Sequence, residues 1–158
     1  MQLLTLVPYE AKHQPWFDLF NRQWIEEWFT MEPVDEFVLT NPDKAILEKG
    51  GAILMALYGG EPAGTVALKK VNNQVYEFTK MAVGKNYRRK GIAEALSHAS
   101  FNKAKELGAT KVILYSNTKN EAAIKLYEKL GFQHIPVEKG VYERANVKME
   151  IELIKTHQ

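Results

Sequence analysis

Three consecutive basic residues beside a glycine form the most informative cluster of this chain. Arg88, Arg89 and Lys90 precede Gly91, and the small residue Ala93 follows two positions later. The first turn of a helix leaves backbone N–H groups without intrahelical partners, and the helix dipole places partial positive charge at the same end. A glycine there lets an anion approach the backbone closely. These residue types at this spacing predict a cradle for a pyrophosphate group.

The segments on either side place this cluster in a strand–turn–helix unit. Residues 74–83 are apolar and rich in β-favouring types, and the turn residues 84–86 end that run. From Gly91 to Leu107 apolar residues recur at helical spacing, and Gly108 is a helix-ending signal. A continuous apolar strand over 111–115 follows. The unit is therefore a βαβ crossover, and its two strands should be parallel.

The rest of the chain predicts one mixed α+β domain over residues 1–158. We expect a central, mostly antiparallel sheet with one parallel βαβ pair and flanking helices. The helix at 11–29 carries an aromatic stripe at i, i+4 steps that should pack on the sheet: Trp16, Phe20, Trp24 and Trp28. The other predicted elements are a strand at 3–7, a helix at 33–39, three antiparallel strands within 52–83, a helix at 121–130 and strands at 132–135 and 145–154.

Composition excludes several classes of protein and site. The 158 residues include 21 basic and 19 acidic side chains, a net charge of +2, which is too even to favour nucleic acid or an anionic membrane as the main partner. The absence of cysteine excludes disulfides, thiolate metal sites and cysteine nucleophiles. The four histidines show no metal-ligand spacing, so we expect no metal. No signal peptide or membrane span is evident, which makes the cytoplasm the expected location.

Two motifs resemble those of one enzyme family. Arg88-x-x-Gly91-x-Ala93 resembles the R/Q-x-x-G-x-G/A motif of the GNAT superfamily of acetyl-CoA-dependent N-acetyltransferases, whose turn binds the pyrophosphate of coenzyme A. The stretch 117–132 resembles the family's second hallmark, N-x-x-A-I-x-L-Y-x-x-x-G-F, which begins here at Asn120. Both motifs occur in the family's order, and the resemblance covers essentially the whole chain. Its tail, 142–149, also looks like the closing strand of a bacterial subgroup.

The resemblance implies a V-shaped gap between the two parallel strands, through which the pantetheine arm pairs with the backbone of the first strand. Asn117 and Asn120 could hold the pantetheine amides or the loop itself, and Asn120 could instead be only a helix cap. The residues expected to bind acetyl-CoA are Met81, Ala82, Val83, Arg88, Arg89, Lys90, Gly91, Ile92, Ala93, Asn117 and Asn120.

The implied chemistry is attack of a neutral amine on the acetyl thioester, which needs a proton acceptor for the amine and a donor for the departing thiolate. Tyr127 matches the family tyrosine near the coenzyme sulfur and is the candidate acid; the alternative is a packing role. Glu77, on the strand that carries the thioester, is the candidate base; a water relay or an exposed strand glutamate are the alternatives. Lys80 is expected to be a surface strand residue without a catalytic part.

The expected function is therefore transfer of an acetyl group from acetyl-CoA to a primary amine of a small molecule or protein, by direct attack in a ternary complex. A non-catalytic acyl-CoA sensor or scaffold is the alternative, although it would not need Tyr127. A nucleic-acid-binding role for residues 87–90 is disfavoured by the near-neutral charge. Many family members are dimers, which leaves a homodimer as one expectation.

The acceptor and the range of acyl groups stay open at this point. The acceptor should be selected by residues 24–37, by the surroundings of Glu77 and by residues 136–144. Acidic side chains in the first segment suit a cationic acceptor, and a solvated helix face explains them equally well: Glu26, Glu27, Glu32, Asp35 and Glu36.

Overall fold

The computed structural model describes residues 3–140 and 142–153, and the strands in this part of the chain form one sheet. The strands are β1 (Leu4–Pro8), β2 (Ala52–Tyr58), β3 (Glu61–Lys70), β4 (Val75–Val83), β5 (Lys111–Ser116), β6 (Gln133–Ile135) and β7 (Val147–Glu152). The α-helices are α1 (Gln14–Trp28), α2 (Pro33–Thr40), α3 (Ile92–Glu106) and α4 (Glu121–Leu130). Short helical turns at Ala11–His13, Asp43–Leu47 and Lys85–Tyr87 complete the order.

The strand order is β1-β2-β3-β4-β5-β7-β6, and every neighbouring pair is antiparallel except β4 and β5. Helix α3 connects that parallel pair, because a crossover is the connection that parallel neighbours require. The predicted fold class, a mostly antiparallel mixed sheet with one parallel βαβ unit, is confirmed. The predicted helices at 33–39 and 121–130 are also confirmed within one residue at each end.

The parallel strands β4 and β5 separate soon after they begin to pair. Their register covers only Val75–Glu77 against Lys111–Ile113. Beyond that point β4 continues to Val83 and β5 to Ser116 without pairing to each other, while β5 pairs with β7 over its full length. The expected V-shaped gap is therefore present, and the edge of β4 after Glu77 borders it.

A β-bulge interrupts β4 beside this gap. Thr65 of β3 pairs with Ala82, but Ala67 pairs with Thr79, so β4 holds one residue more than its neighbour in this interval. Lys80 lies in the bulge with a φ of +53°, a left-handed conformation that is uncommon for a side chain of its size. The bulge marks a local constraint at the point where β4 begins to line the gap.

Apolar side chains pack on both faces of the sheet. One face packs against α3 and α4, and its largest buried members include Leu68, Phe78, Leu96, Leu114 and Met149. The other face packs against α1 and α2 through Phe17, Ile25, Leu39, Ile46 and Ile53. Because successive strand residues point to opposite faces, Glu77 lies on the α1 side between Tyr76 and Phe78, which belong to the α3 side.

The aromatic stripe predicted for α1 is wrong in part. The buried residues of this helix are Phe17, Phe20, Asn21 and Ile25, whereas Trp16 and Trp28 are 39% and 44% exposed. Residues at i, i+4 steps do not stay on one line, because each step turns about 40° past a full turn. Over three steps the stripe therefore rotates out of the face that contacts the sheet.

None of the helices in the described part of the chain combines the length and apolar character needed to cross a membrane.

Candidate active site

A cleft of about 420 Å³ runs through the gap between β4 and β5. It joins the N-terminal end of α3 to the C-terminal end of α1, so it connects the two faces of the sheet. Nine of the thirteen candidate site residues line it: Glu77, Met81, Ala82, Val83, Arg88, Ala93, Asn117, Asn120 and Tyr127. Most of the candidate residues therefore lie at this cavity, and the gap brings residues from the two motifs together.

The predicted anion cradle is formed by the backbone at the start of α3. Gly91 is the N-cap residue, with a φ of +77°, and no side chain caps the helix there. A Cβ added to Gly91 would meet no atom within 4 Å, so the space above the glycine is open. The first helical bond to this cap runs from the Ala95 N–H to the Gly91 carbonyl, at 3.1 Å. The N–H groups before Ala95 remain available to an anion, as the cradle requires.

The basic residues of the turn point in different directions. Arg88 lines the cleft and donates a 3.3 Å hydrogen bond to Glu27, with both side chains exposed. The Lys90 ammonium lies 5.2 Å from the centre of the Tyr58 ring. Ile92 is buried in the core, so only its backbone can take part in binding. Arg88 is thus the cation of this turn that the structure places at the cleft.

The two asparagines before α4 have different surroundings. Asn117 donates a 2.6 Å hydrogen bond to the carbonyl of Arg144 and accepts one of 2.9 Å from the Lys119 N–H. Asn120 occupies the N-cap position, but its side chain makes no capping bond, so the capping role considered for it is wrong. Asn117 therefore holds the loop, whereas the largely buried amide of Asn120 faces the cleft and is available to a ligand.

Tyr127 places a phenol in the gap. Its ring packs edge-on against Phe78 and Phe132, with centroids 5.7 and 5.8 Å apart. No side chain or backbone group in the described part of the chain hydrogen-bonds its hydroxyl. Burial raises the pKa of Tyr127 to about 12, because the ionised form would lose its hydration. Tyr127 therefore keeps its proton at neutral pH and can donate a hydrogen bond into the cleft.

Glu77 places a buried carboxylate on the opposite face of the sheet. It is 5% exposed and accepts a 2.8 Å hydrogen bond from the Tyr142 hydroxyl. No ion pair to Glu77 occurs among residues 3–140 and 142–153. Burial raises the pKa of Glu77, and the Tyr142 hydrogen bond and nearby lysines offset this only in part. Glu77 is thus a stronger base than an exposed glutamate, and the alternative of an exposed strand residue is excluded.

Lys80 is not the surface residue that we expected. Its side chain is 6% exposed, and its ammonium lies 2.8 Å from an oxygen of Asp35, which is fully buried. Arg144 binds both oxygens of Asp35, at 2.6 and 2.8 Å, and a Glu32 oxygen at 2.8 Å. Burial acts to raise the pKa of Asp35, but the bonds from Arg144 and Lys80 hold it well below its usual range.

This ionic network joins three elements that the sequence does not connect by any motif. Asp35 lies in the first turn of α2, Lys80 in the β4 bulge and Arg144 in the segment before β7. Glu32 and Asp35 also cap the start of α2, where the Glu32 N–H donates to Asp35 at 3.0 Å. Nothing in the sequence indicated a partner 109 residues away.

Aromatic side chains enclose the cleft on the Glu77 side. Tyr115 and Tyr142 pack edge-on with ring centroids 5.5 Å apart. Trp24 and Phe29 pack with centroids 6.3 Å apart, and Trp28 adds a further exposed indole. All five line the cleft. We call this region, made of Trp24, Trp28, Phe29, Glu77, Tyr115 and Tyr142, the acceptor end.

Comparison with known proteins identifies the fold and its family. A family model described as "Acetyltransferase (GNAT) family" matches residues 13–132. The structure of a putative acetyltransferase from Salmonella typhimurium with its cofactor acetyl-CoA has a TM-score of 0.78 at 15% identity, covering 98% of this chain and 96% of that one.

Curated relatives support the same grouping. N-acetylaspartate synthetase from Xenopus tropicalis is 32% identical over 108 residues, which are 68% of this chain and 37% of that protein, so the chain spans little more than a third of its length. N-alpha-acetyltransferase 30 from Schizosaccharomyces pombe is 27% identical over 146 residues, covering 82% of this chain and 84% of the relative.

Proposed function

This chain belongs to the acetyltransferase (GNAT) family, and from that premise we propose that it transfers an acetyl group from acetyl-CoA to a primary amine of a small molecule or a protein. The observation that carries the proposal is the continuity of the cleft. One opening meets the uncapped start of α3, and the other meets a buried carboxylate on the far side of the sheet.

The residues around the gap fit acetyl-CoA. The backbone from Gly91 to Ala93 and the Arg88 guanidinium would hold its pyrophosphate, because the N–H groups there are unpaired and the space above Gly91 is open. The unpaired edge of β4, from Met81 to Val83, would hold its pantetheine arm, with the Asn120 amide beside it. Acetyl-CoA supplies the activated acetyl group.

Glu77 is the proposed base. Amide formation makes an N–C bond and breaks the C–S bond, so the amine must lose a proton and the sulfur must gain one. A primary amine arrives mostly as ammonium at neutral pH, because its pKa is about 10, so it must lose one further proton before it attacks. Glu77 lines the cleft, and its raised pKa favours proton uptake. Direct transfer to Glu77 or relay through a water both use this carboxylate.

Tyr127 is the proposed donor to the departing sulfur. A phenol with a pKa of about 12 is a weaker acid than a thiol, whose ordinary pKa is about 8.5. Complete proton transfer from Tyr127 to a thiolate is therefore uphill. Tyr127 instead stabilises the developing negative charge by a hydrogen bond from its unpartnered hydroxyl, and the released thiolate takes its proton from water.

The names of two curated relatives describe acetylation at nitrogen. One is named for synthesis of N-acetylaspartate and the other for N-alpha-acetylation. Both names describe acetylation of an amine, which supports the reaction type.

Calorimetry with acetyl-CoA tests the proposal first, with free CoA and ATP as comparators. Arg88→Ala and Gly91→Asp should each weaken acetyl-CoA binding at least about tenfold, because they remove a cation and add an anion at the cradle. Aspartate tolerates a positive φ better than most residues, which limits the folding cost of the second variant. Absence of binding by the parent chain at high micromolar acetyl-CoA would overturn the proposal. Release of free thiol with a panel of amines then measures transfer.

A further inference from the structure

Of the charged residues that line the cleft, Glu77 is the one without an ion-pair partner among the residues that the structure describes. The cations that line this part of the cleft are Lys80 and Arg144. Lys80 is paired with Asp35, and Arg144 is paired with Asp35 and Glu32 at distances of 2.6–2.8 Å. Neither cation is free to bind a carboxylate on an acceptor without breaking a largely buried ion pair, which is unfavourable.

The acidic residues that line the cleft are Glu27 and Glu77. Glu27 adjoins Trp28 on α1, and its carboxylate is paired with Arg88 at 3.3 Å. Glu77 accepts a hydrogen bond from the neutral hydroxyl of Tyr142, and no cation in the described part of the chain lies within 4.0 Å of it. A buried carboxylate without a counter-ion favours one positive charge in a ligand.

The remaining surface of the acceptor end is mainly aromatic. Trp24, Trp28 and Phe29 lie on α1 and just after it, and Tyr115 and Tyr142 come from β5 and the segment before β7. Aromatic faces bind apolar groups by burial, and they also attract an ammonium through their quadrupole. Besides the residues already named, the described residues of the cleft lining here add no charge; Lys119 and Lys148 lie outside the lining, with their ammonium groups 5.5 Å from the Phe29 ring and 5.3 Å from the Tyr115 ring.

We propose, resting on the function proposed above, that the acceptor is a hydrophobic primary monoamine that carries one positive charge and no negative charge. Its ammonium would lie at Glu77 and its apolar body against the aromatic side chains. Two sources present this chemistry: a free amine with an apolar body, and a peptide N-terminus with an apolar first side chain. Polyamines and free amino acids do not match the charge distribution.

Matched acceptors test the assignment on the unaltered protein. Phenethylamine and phenylalanine share an apolar body, but phenylalanine adds a carboxylate. Pentylamine and cadaverine share a chain, but cadaverine adds a second ammonium. We expect kcat/KM to be higher for the monoamine in each pair, on the order of 100-fold for the carboxylate pair, because an added charge would be desolvated without a partner.

Two further acceptors, a peptide that begins with phenylalanine and phenylalaninamide, distinguish a peptide N-terminus from a free amine as the source. Higher kcat/KM for the peptide than for phenethylamine would assign the source to chain N-termini, and the reverse would assign it to free amines. Both outcomes retain the chemical class. Preference for phenylalanine or cadaverine would overturn the class but leave the acetyltransferase intact. No acetylation of any amine, with acetyl-CoA bound, would overturn the proposed function itself.

Glu32→Gln provides a second test, because it removes one partner of Arg144 without touching Glu77. Arg144 then keeps Asp35 as its one remaining anionic partner, and the less compensated guanidinium should raise kcat/KM for phenylalanine relative to phenethylamine by about tenfold. Glu36→Gln is the matched control, since Glu36 pairs with Arg22 on the exposed surface. An unchanged phenylalanine ratio in Glu32→Gln, with acetyl-CoA binding intact, would contradict the role given to the Arg144 ion pairs.

Discussion

The hydroxyl of Tyr142 donates a 2.8 Å hydrogen bond to a carboxylate oxygen of Glu77, across 65 residues of sequence. Burial and the adjacent Glu77 charge raise the pKa of Tyr142 far above its ordinary value, so the proton stays on the phenol. The bond favours the ionised form of Glu77 and opposes the effect of burial. Tyr142 therefore tunes the basicity of the carboxylate that we propose as the base.

Tyr142→Phe should move the acid limb of the pH–rate profile to higher pH. Glu77 must be ionised to accept a proton, so activity falls as the pH drops through its pKa. Loss of the hydrogen bond raises that pKa further above its ordinary value. The comparison is kcat/KM for parent and variant with the same amine between about pH 5 and pH 9. Superimposable acid limbs would show that Glu77 does not set this titration.

Asp35→Asn should destabilise the fold by about 3–5 kcal/mol, because it leaves Lys80 and Arg144 as buried cations without their shared anion. Chemical denaturation measures the change in the free energy of unfolding. The control is Glu36→Gln, whose exposed pair with Arg22 is screened by solvent and should matter little. Similar losses for the two variants would contradict the structural role of the buried network.

The Asp35 carboxyl also makes the stability of the fold dependent on pH. The pKa of Asp35 is lower in the folded chain than in the unfolded chain, so its contribution is present above the unfolded pKa, ordinarily 3.8, and is lost as the pH falls below it. Asp35→Asn should therefore flatten the acid side of a plot of melting temperature against pH. A parallel decline in parent and variant would assign acid lability to other groups.

Tyr127→Phe should lower kcat by about 100-fold while the Kd for acetyl-CoA stays within about twofold. In its proposed role the phenol interacts with charge that develops on the sulfur only during transfer, so its loss should affect the rate rather than binding. The control is Tyr9→Phe, because Tyr9 directly follows β1, packs against Phe17 and does not line the cleft. Equal kcat for Tyr127→Phe and the parent would show that this tyrosine has only a packing role.

Gly91→Ala and Gly108→Ala should cost similar stability but differ in binding. Both glycines have a positive φ, +77° and +93°, and a Cβ at either position meets nothing within 4 Å. The backbone strain in each should cost about 1–2 kcal/mol. Only the Cβ at Gly91 enters the cradle, so only that variant should weaken acetyl-CoA binding in calorimetry. Equal affinity of the two variants would place the pyrophosphate elsewhere.

Asn117→Ala and Asn120→Ala should separate loop stability from cofactor binding. Asn117 ties the β5–α4 loop to Arg144, so its loss should lower the melting temperature. Asn120 makes no capping bond and faces the cleft, so its loss should mainly raise the Kd for acetyl-CoA. Thermal denaturation and calorimetry on both variants provide the test, and the reverse pattern would contradict the assignment.

The sequence predicts those parts of the site that depend on local structure. Gly91 and the preceding cations follow a strand and open a helix, and local propensity is enough to place that turn. Tyr127 faces the gap because the second motif fixes the phase of a short helix whose ends, Asn120 and Gly131, are both marked in the sequence. In these cases the information lies within a few residues of the feature.

The sequence does not predict features that depend on distant pairing. Lys80 is polar and lies in a strand, which ordinarily indicates solvent, but a bulge and Asp35 bury it. Trp16 and Trp28 are apolar, which ordinarily indicates the core, yet the rotation of α1 leaves them exposed. Burial of these side chains is decided by how α1 and α2 sit on the sheet, and no local pattern specifies that arrangement.

The burial of Glu77 has a consequence for engineering this protein. Its pKa is higher in the folded chain, so the stability it contributes is present at low pH and is lost as the pH rises through that value. At neutral pH the ionised carboxylate therefore opposes folding, and Glu77→Gln should unfold at a higher temperature than the parent. A library selected only for heat resistance would enrich replacements at this position. With Glu77 as the proposed base, such a selection would favour more stable chains with reduced acetyl transfer, so turnover must be measured alongside melting temperature.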